Sequence, residues 1–569
     1  MDDDIKNEIR KVALQNAYEH EGKTQDKIVL SKILGTKPEF RSKVKEIIGD
    51  ISNIVSSVNQ LSFEELKKEI EENFPDILKP KEKVEAREGL PPLQGAEQGK
   101  VVTRFPPEPN GYPHIGHAKA AIINSEYAKM YGGKCILRMD DTNPEAERME
   151  YHAAIKVGLD WLGVKFDVVK STSDDMEFFY EKGMELIKSG RAYVCTCKRE
   201  DISQNRKERK DCKCSFRDIK QNNQGWDKMF EKYKPGEAIV RFRGDMKSDN
   251  AVMRDPVLFR IIDEKHYTLG EKYRVWPSYD MAVAIEDSKD GITHAFRSKE
   301  FELRKDLINA ILDELGMRKP YQDFFSRLEF KGMPISKRIL KPLIEEGKVS
   351  WYDDPRLPTL EALRRRGIKA EAIKKFILSL GLTKANTLAP FDALEAFNRK
   401  FVDADSIRLF MVNKPKKLKV NNLPFSTIEI PNHPVNDIGK RVIEIDENIL
   451  ICGDDAQNIT EGTQVRLLGL GNVQINRVGE VLEGNFVENG ETSNIQKIQW
   501  VPQKTAHEIK ILVPNQLFID EQFNENSLEE LEVYTEPHYL KLKEGEEIQF
   551  VRFGYCRKDS QNQAIFTHK

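Results

Sequence analysis

The sequence predicts a multidomain α/β protein: a helical region, a parallel-sheet domain with an antiparallel insertion, and an all-β C-terminal region. Three observations predict it. Residues 101–130 read as a β-branched strand ending at Phe105, a proline-stiffened loop and an amphipathic helix, and the apolar run ending at Met139 adds a second strand, which makes a βαβ unit. Two C-x-C pairs, Cys195 with Cys197 and Cys212 with Cys214, punctuate a polar stretch that leads into short β-type runs. From about Lys414 onwards the chain consists of short strands between Gly, Asn and Pro turns. A length of 569 residues suits several domains of ordinary size.

Composition narrows the functional classes. Hydrophobic residues make up 39% of the chain, with no apolar run long enough to span a bilayer and no export signal, so a cytoplasmic protein without membrane contact is expected. The 90 Lys and Arg nearly cancel 93 Asp and Glu, leaving a net charge of −3, so any nucleic-acid binding must rest on local patches. Seven cysteines fit a reducing compartment better than a disulfide framework.

Taken in order, residues 1–97 form a helical accessory region and linker, in which Leu14, Ala17, Val29, Leu30 and Leu34 line one face and Ser62 with Glu65 make a capping box. Residues 98–190 are the first half of the parallel-sheet domain. In it His114 and His117 flank Gly116 at a helix start, where unpaired amides favour a phosphate, although both rings could simply cap and pack. Asp140 and Asp141 end the second strand, where ligands gather in such folds; an acidic pair there suits an ammonium or a ribose hydroxyl, or else caps the next helix. Helices are expected over 145–162 and 174–189.

Residues 191–275 are the insertion. Four thiolates in two short knuckles can close a tetrahedral zinc site, and the polar segment between them needs such a staple; four unrelated thiols, or two disulfides in an oxidising compartment, are the alternatives. Arg206, Lys207, Arg209 and Lys210 on that segment are either an RNA contact or a solvated charge run. Residues 276–340 complete the parallel sheet: Tyr279 and Asp280 open a strand, Arg297 precedes a helix, and Ser336, Lys337 and Arg338 lie in a loop, the lysine either solvated or a point charge for pyrophosphate. Residues 341–412 are helical, with Arg364, Arg365 and Arg366 in one turn of a helix over 359–380. Residues 413–569 form one or two β-barrels.

At this point five spaced motifs stand in order: F-P-P-E-P-N-G-Y-x-H-I-G-H-A, L-R-x-D-D-T-N-P, Y-D-x-x-x-x-I-x-D-x-x-x-G-I-T-H, the I-S-K-R loop, and W-Y-D-D-P-R-L-P-T-L-E-A-L-R-R-R-G. From about Arg104 to the C-terminus the chain resembles the class I glutamyl/glutaminyl-tRNA synthetase family, in its archaeal and eukaryotic-like branch. The resemblance implies a Rossmann-type catalytic domain in two halves, an acceptor-end-binding insertion, a helical stem-contact region and anticodon-binding β-barrels. It implies ATP-dependent formation of an aminoacyl-adenylate and transfer to the 3′ end of tRNA, with Mg²⁺ arriving on ATP and a structural zinc on the four cysteines.

His114, His117 and Lys337 carry the family's catalytic signatures, although the first lysine of the second signature is absent. Pro107, Glu108, Asn110, Gly116 and Ser336 complete the implied ATP site. Arg104, Asp140, Tyr279 and Arg297 correspond to the amino-acid pocket. Two cations suit a dicarboxylate, and an unpaired buried arginine would penalise an amide, so glutamate is the expected amino acid. The bland reading of Arg297 is a surface ion pair with Glu300. Arg364, Arg365 and Arg366 are expected to meet tRNA phosphates, and Arg408 and Arg466 its bases. The expected acceptor is tRNA(Glu), with tRNA(Gln) open as a second one, and the enzyme is expected to act as a monomer. A glutamine-specific enzyme and a non-catalytic tRNA-binding paralogue are the alternatives.

Overall fold

A computed structural model describes residues 3–19, 22–36, 44–77, 89–385, 387–488 and 495–569, and the chain divides into two compact units, 1–88 and 89–569. The linker stretch 80–88 and the side chain of Leu34 lie outside the described residues.

Among its described residues the first unit holds four α-helices, Asp3–Glu19, Asp26–Thr36, Val44–Val58 and Phe63–Asn73. Their apolar faces meet in one core containing Leu14, Ala17 and Val29, with Leu30 packed at its edge. The Ser62–Glu65 capping box is formed, which satisfies two donors that a helix start otherwise leaves open. The Arg10 guanidinium pairs with Glu69 and fastens the first helix to the fourth.

In the second unit Val102–Phe105, Lys134–Met139 and Val168–Ser171 pair in parallel in that order. The helices Ile115–Met130 and Met149–Trp161 make the crossovers. The reading of Tyr279 and Asp280 as the start of a strand is overturned, because Tyr279–Lys289 is a helix. An apolar run buried on every side carries no face to distinguish helix from strand, and Met281 to Ile285 are all buried. The second half's strand is His294–Ser298, parallel to Tyr321–Phe325. It is joined to the first sheet through Thr293, whose Oγ1 accepts from the Val102 amide at 2.8 Å and whose amide donates to the Val102 carbonyl at 2.9 Å.

The insertion is a four-stranded antiparallel sheet, Ala192–Cys195, Ile239–Phe242, Val257–Ile261 and Val275–Pro277. Between the cysteine pairs runs the helix Arg199–Glu208, which buries no residue. Lys337 is not in a loop but opens the helix Lys337–Glu345, with Ser336 at its cap. The helix expected over 359–380 is two helices, Leu360–Arg366 and Ala370–Leu380, broken where Gly367 turns left-handed at φ 92°.

The β-rich part opens at Ile407, ahead of the expected 413, and forms two seven-stranded, nearly closed, barrel-like sheets. A hairpin of Phe518–Ile519 and Gln522–Phe523 leaves the barrels and packs on the helix Lys337–Glu345. Leu517 shares a core with Leu340, Leu343 and Ala362, and the Phe518 amide donates to the Gly332 carbonyl at 3.0 Å.

Candidate active site

Where the two halves of the parallel-sheet domain meet, a cavity of about 740 Å³ opens. The first strand brings Arg104 to it, the loop after that strand brings Pro107 and Glu108, and the helix start brings His114, Gly116 and His117. Asp140 arrives from the second strand, Tyr279 from the buried helix, Arg297 from the strand His294–Ser298, and Ser336 from the cap of the lysine helix. Ten of the sequence-selected residues therefore share one cavity, although they span more than two hundred positions of the chain.

The histidines cap their own helix. His114 Nδ1 accepts from the Gly116 amide at 3.0 Å, His117 Nδ1 accepts from the His114 amide at 3.2 Å, and the two rings lie 4.0 Å apart. Since each Nδ1 is an acceptor, each ring carries its proton on Nε2. The expectation of unpaired helix amides is corrected here. The Gly116 amide is taken by His114 and the Ile115 amide by the Pro358 carbonyl at 3.0 Å, so donation to an anion falls to the imidazoles.

Burial lowers His117 to about 4 and puts His114 well below its ordinary value, with the neighbouring His117 adding to the effect. Both are neutral at pH 7 and act as dipolar donors rather than cations. The unfolded chain takes up these protons near pH 6.5, whereas folded His117 resists until about pH 4, so stability held above pH 6.5 is lost as the pH falls towards 4. Thermal melting followed from pH 7 to 4.5 is expected to show this decline and to show a shallower one in His117→Asn. An equal slope in the two proteins would remove the assignment.

The segment 358–360 holds this turn in place. The Leu360 amide donates to the Pro113 carbonyl at 2.9 Å, opposite the Ile115 contact, so the fifth motif buttresses the first. That link was not read from the sequence.

Asp140 is buried. Its amide donates to the Pro107 carbonyl at 2.9 Å and its Oδ1 accepts from Thr172 at 3.3 Å. Burial pushes it up to about 6 against the pull of Arg138. Asp141 does not line the cavity; it accepts from the Ser173 amide and hydroxyl and from Tyr267, and it does not cap the next helix, Met149–Trp161, whose start has no side-chain cap. Tyr279 packs against Phe301 at 4.9 Å, with the Arg304 guanidinium 5.5 Å from its ring.

Arg104 and Arg297 are both buried, and both bind Asp287. Arg104 donates from Nε to Oδ1 at 2.8 Å and from Nη2 to Oδ2 at 3.1 Å; Arg297 donates from Nη2 to Oδ2 at 2.5 Å and from Nη1 to Gln322 at 2.9 Å. The surface pair of Arg297 with Glu300 is thus excluded, since Glu300 pairs with Arg327 instead. Asp287 is the residue that sequence reading missed, although the third motif ends its Y-D-x-x-x-x-I-x-D portion on it. Lys119 was also missed. It lines the cavity with no carboxylate partner among the described residues, donating to the carbonyl and hydroxyl of Ser326 at 2.7 and 3.1 Å, and burial lowers it to about 8.

Lys337 and Asn110 are not brought to this cavity. The Lys337 ammonium donates to the Asn110 carbonyl at 2.8 Å and sits 4.9 Å from the centre of the Tyr151 ring, in a neighbouring hollow of about 470 Å³ walled by Tyr112, Trp351 and Tyr352.

The four cysteine sulfurs lie within 4.8 Å of one another. Zinc–sulfur bonds of ~2.3 Å in a tetrahedron set sulfurs ~3.8 Å apart. The Cys195–Cys212 and Cys197–Cys214 separations are 3.9 and 3.7 Å, so the donor set fits. Arg241 donates to Cys212 Sγ at 3.5 Å and Arg217 donates to Thr196 beside Cys214, cationic company that four thiolates require. Of the basic run, Arg206 and Arg209 donate to the carbonyls of Ala251 and Lys247, which engages them within the insertion.

Three of the five arginines assigned to tRNA are engaged elsewhere. Arg366 is buried, paired with Glu395 and 4.3 Å from the Phe391 ring, so phosphate contact by it is overturned by packing. Arg365 binds both oxygens of Asp559 at 2.9 and 2.7 Å and ties its helix to the barrels. Arg408 pairs with Asp403 at 2.6 Å and reaches Tyr555 and His433. Arg364 is exposed, and Arg466, half-buried, donates to Asn472 at 2.9 Å.

A parallel sheet whose strand ends meet an H-x-G-H helix start, with a lysine-headed helix beside the cavity, is the frame of an adenylate-forming synthetase. A family model described as tRNA synthetases class I (E and Q), catalytic domain, matches residues 100–404, and two described as the anti-codon binding domain match 406–490 and 497–559. The chain belongs to this family of class I aminoacyl-tRNA synthetases. A protein of Nitrosopumilus maritimus (strain SCM1) named glutamate–tRNA ligase is 79% identical over the full length of both chains. Proteins of the same name from Cenarchaeum symbiosum (strain A) and Pyrococcus abyssi (strain GE5 / Orsay) are 57% and 40% identical, over 99% and 98% of this chain and 100% and 99% of theirs. Among the described residues no helix is long and apolar enough to cross a membrane.

Proposed function

We infer that this chain is a cytoplasmic, monomeric glutamate–tRNA ligase, which activates glutamate with ATP and transfers it to the 3′ end of tRNA(Glu). The observation that carries the choice of amino acid is the pair of buried arginines, Arg104 and Arg297, on the cavity wall. Two guanidiniums beside one shared carboxylate suit an anionic side chain and reject a neutral amide, which disfavours the glutamine-specific reading.

In this reading the substrate's ammonium rests on Asp140, its side-chain carboxylate faces Arg104 and Arg297, and Tyr279 walls the pocket. The α-carboxylate oxygen attacks the α-phosphorus of ATP, pyrophosphate leaves, and a mixed anhydride is formed; the terminal ribose hydroxyl then attacks the acyl carbon and AMP leaves. Little of this needs covalent help from the protein. It needs alignment and donors for the phosphoryl oxygens, which the Nε2–H groups of His114 and His117 supply. Pro107, Glu108, Gly116 and Ser336 border the same space. Lys337 must leave the Tyr151 ring and the Asn110 carbonyl to reach departing pyrophosphate. A divalent cation such as Mg²⁺ accompanies ATP and offsets phosphate charge.

Cys195, Cys197, Cys212 and Cys214 hold a structural zinc that closes the insertion and takes no part in the chemistry. Arg364 and Arg466 are the remaining arginines offered to tRNA.

The test is ATP–pyrophosphate exchange in the presence of tRNA, run with each amino acid. Glutamate alone is expected to support exchange; support by glutamine and not glutamate would overturn the reading. Charging of purified tRNA(Glu) and tRNA(Gln) with glutamate separates a strict from a relaxed acceptor choice. A narrower outcome concerns Gly116, where an added Cβ would sit 2.8 Å from His114 Cε1 and 3.0 Å from its Nδ1. Gly116→Ala is expected to tilt His114 and slow adenylate formation about a hundredfold. Its melting temperature should hardly move, because alanine's helix propensity, better by ~1 kcal/mol, offsets the crowding. An unchanged rate would show that the ring position does not matter.

A further inference from the structure

We propose that Asp287 is the positioning residue that sets the amino-acid specificity of the cavity, by fixing Arg104 and Arg297 in place and leaving them one positive charge in excess.

Asp287 lies on the buried helix Tyr279–Lys289 and its side chain is fully enclosed. Oδ1 accepts from Arg104 Nε and Arg138 Nη2, both at 2.8 Å, and Oδ2 accepts from Arg104 Nη2 at 3.1 Å and Arg297 Nη2 at 2.5 Å. A carboxylate offers about four acceptor positions, and all four are filled by three guanidiniums. Burial alone would favour its protonated form, but Arg104, Arg138 and Arg297 together hold it well below the usual carboxylate range.

Charge counting then separates the arginines. Arg138 has a second carboxylate, Asp290, at 3.0 Å. Among the described residues Arg104 and Arg297 have no carboxylate but Asp287. Two cations share one anion, and both cations line the cavity. Arg297 also keeps a buried Nε–H with no partner among the described residues. Leaving a charge-bearing donor unpaired in a low-dielectric site is costly, and a ligand carboxylate removes both the charge excess and the open donor. An amide oxygen can accept from the open donor but leaves the charge excess in place.

Asp287 meets no substrate atom; it acts through the two arginines, orienting their planar forks and cancelling one of their charges so that a single anion completes the balance. The inference rests on the glutamate reading of the cavity given above.

Asp287→Asn offers one acceptor in place of two and turns an NH₂ against a guanidinium, so the arginines are displaced. The expected result is a KM for glutamate raised about tenfold to a hundredfold, a KM for ATP within about twofold of the parent, and a reduced preference for glutamate over glutamine in pyrophosphate exchange. Asp287→Glu keeps the charge but shifts the carboxylate by a methylene, with the same split to a smaller degree, and is read instead if the asparagine variant does not fold. Loss of melting temperature with an unaltered glutamate KM and glutamate-to-glutamine ratio, in whichever variant folds, would overturn the proposal and leave Asp287 a structural anchor. Arg297→Ala, run alongside, distinguishes the two levels. If it leaves the glutamate KM unchanged, the reading of the cavity falls; if it raises that KM while the Asp287 variants do not, only the role of Asp287 falls.

Discussion

Replacing Cys212 with serine is expected to strip zinc from the purified protein and unfold the insertion. Structural zinc contributes ~10–16 kcal/mol of apparent binding free energy in small zinc domains at neutral pH, far more than the helix Arg199–Glu208 could supply, since it buries no residue of its own. Cys212 is the hub of the site: its sulfur lies 3.9 Å from Cys195 Sγ, 3.6 Å from the Tyr193 hydroxyl and 3.5 Å from Arg241 Nη1. The substitution removes a sulfur partner from Arg241 and from Tyr193 on the first insertion strand, which leaves each with its bond to Asp255. Metal content should fall from about one zinc per chain to near zero, with an early melting transition and loss of tRNA charging. Metal-free parent protein with an unaltered melting curve would end the zinc assignment.

The second large effect is expected at Arg104. Its side chain is fully buried and spends three donors on Asp287 and the Phe296 carbonyl. Removing one partner of a buried, hydrogen-bonded charge pair costs ~2–5 kcal/mol, so Arg104→Met should lower kcat/KM for glutamate by about 10²- to 10³-fold. Arg104→Lys retains a charge but cannot bridge both Asp287 oxygens, and is expected to recover little of the loss. Steady-state pyrophosphate exchange measures both variants. A parental KM for glutamate in Arg104→Met would remove Arg104 from the pocket.

Much of this was legible in the sequence because it rests on local pattern. Strand, proline loop and helix at 102–130 have distinct periods and breakers, and the cysteine pairs announce themselves by spacing. The helix Tyr279–Lys289 was misread because burial on all sides erases the period that separates helix from strand. The arginines were harder still. Arg364, Arg365 and Arg366 are alike on paper, yet one is exposed, one bridges to Asp559 and one is sealed under Phe391, because their partners come from almost two hundred residues away in the barrels or from a later helix. Asp287 stayed hidden for the same reason. Its meaning lies in three arginines drawn from three strands.

The hairpin that leaves the barrels to pack on the helix Lys337–Glu345 has a spatial consequence. Leu517 is set into the same core as Leu340 and Leu343, so the hairpin and the helix are two arms that meet in one packed cluster. One arm is rooted in the sheets that the family uses to grip the anticodon. The other ends at Ser336 on the cavity rim and at Lys337, parked on Tyr151. The barrels are therefore separated by a single apolar core from the segment that carries Ser336 and Lys337.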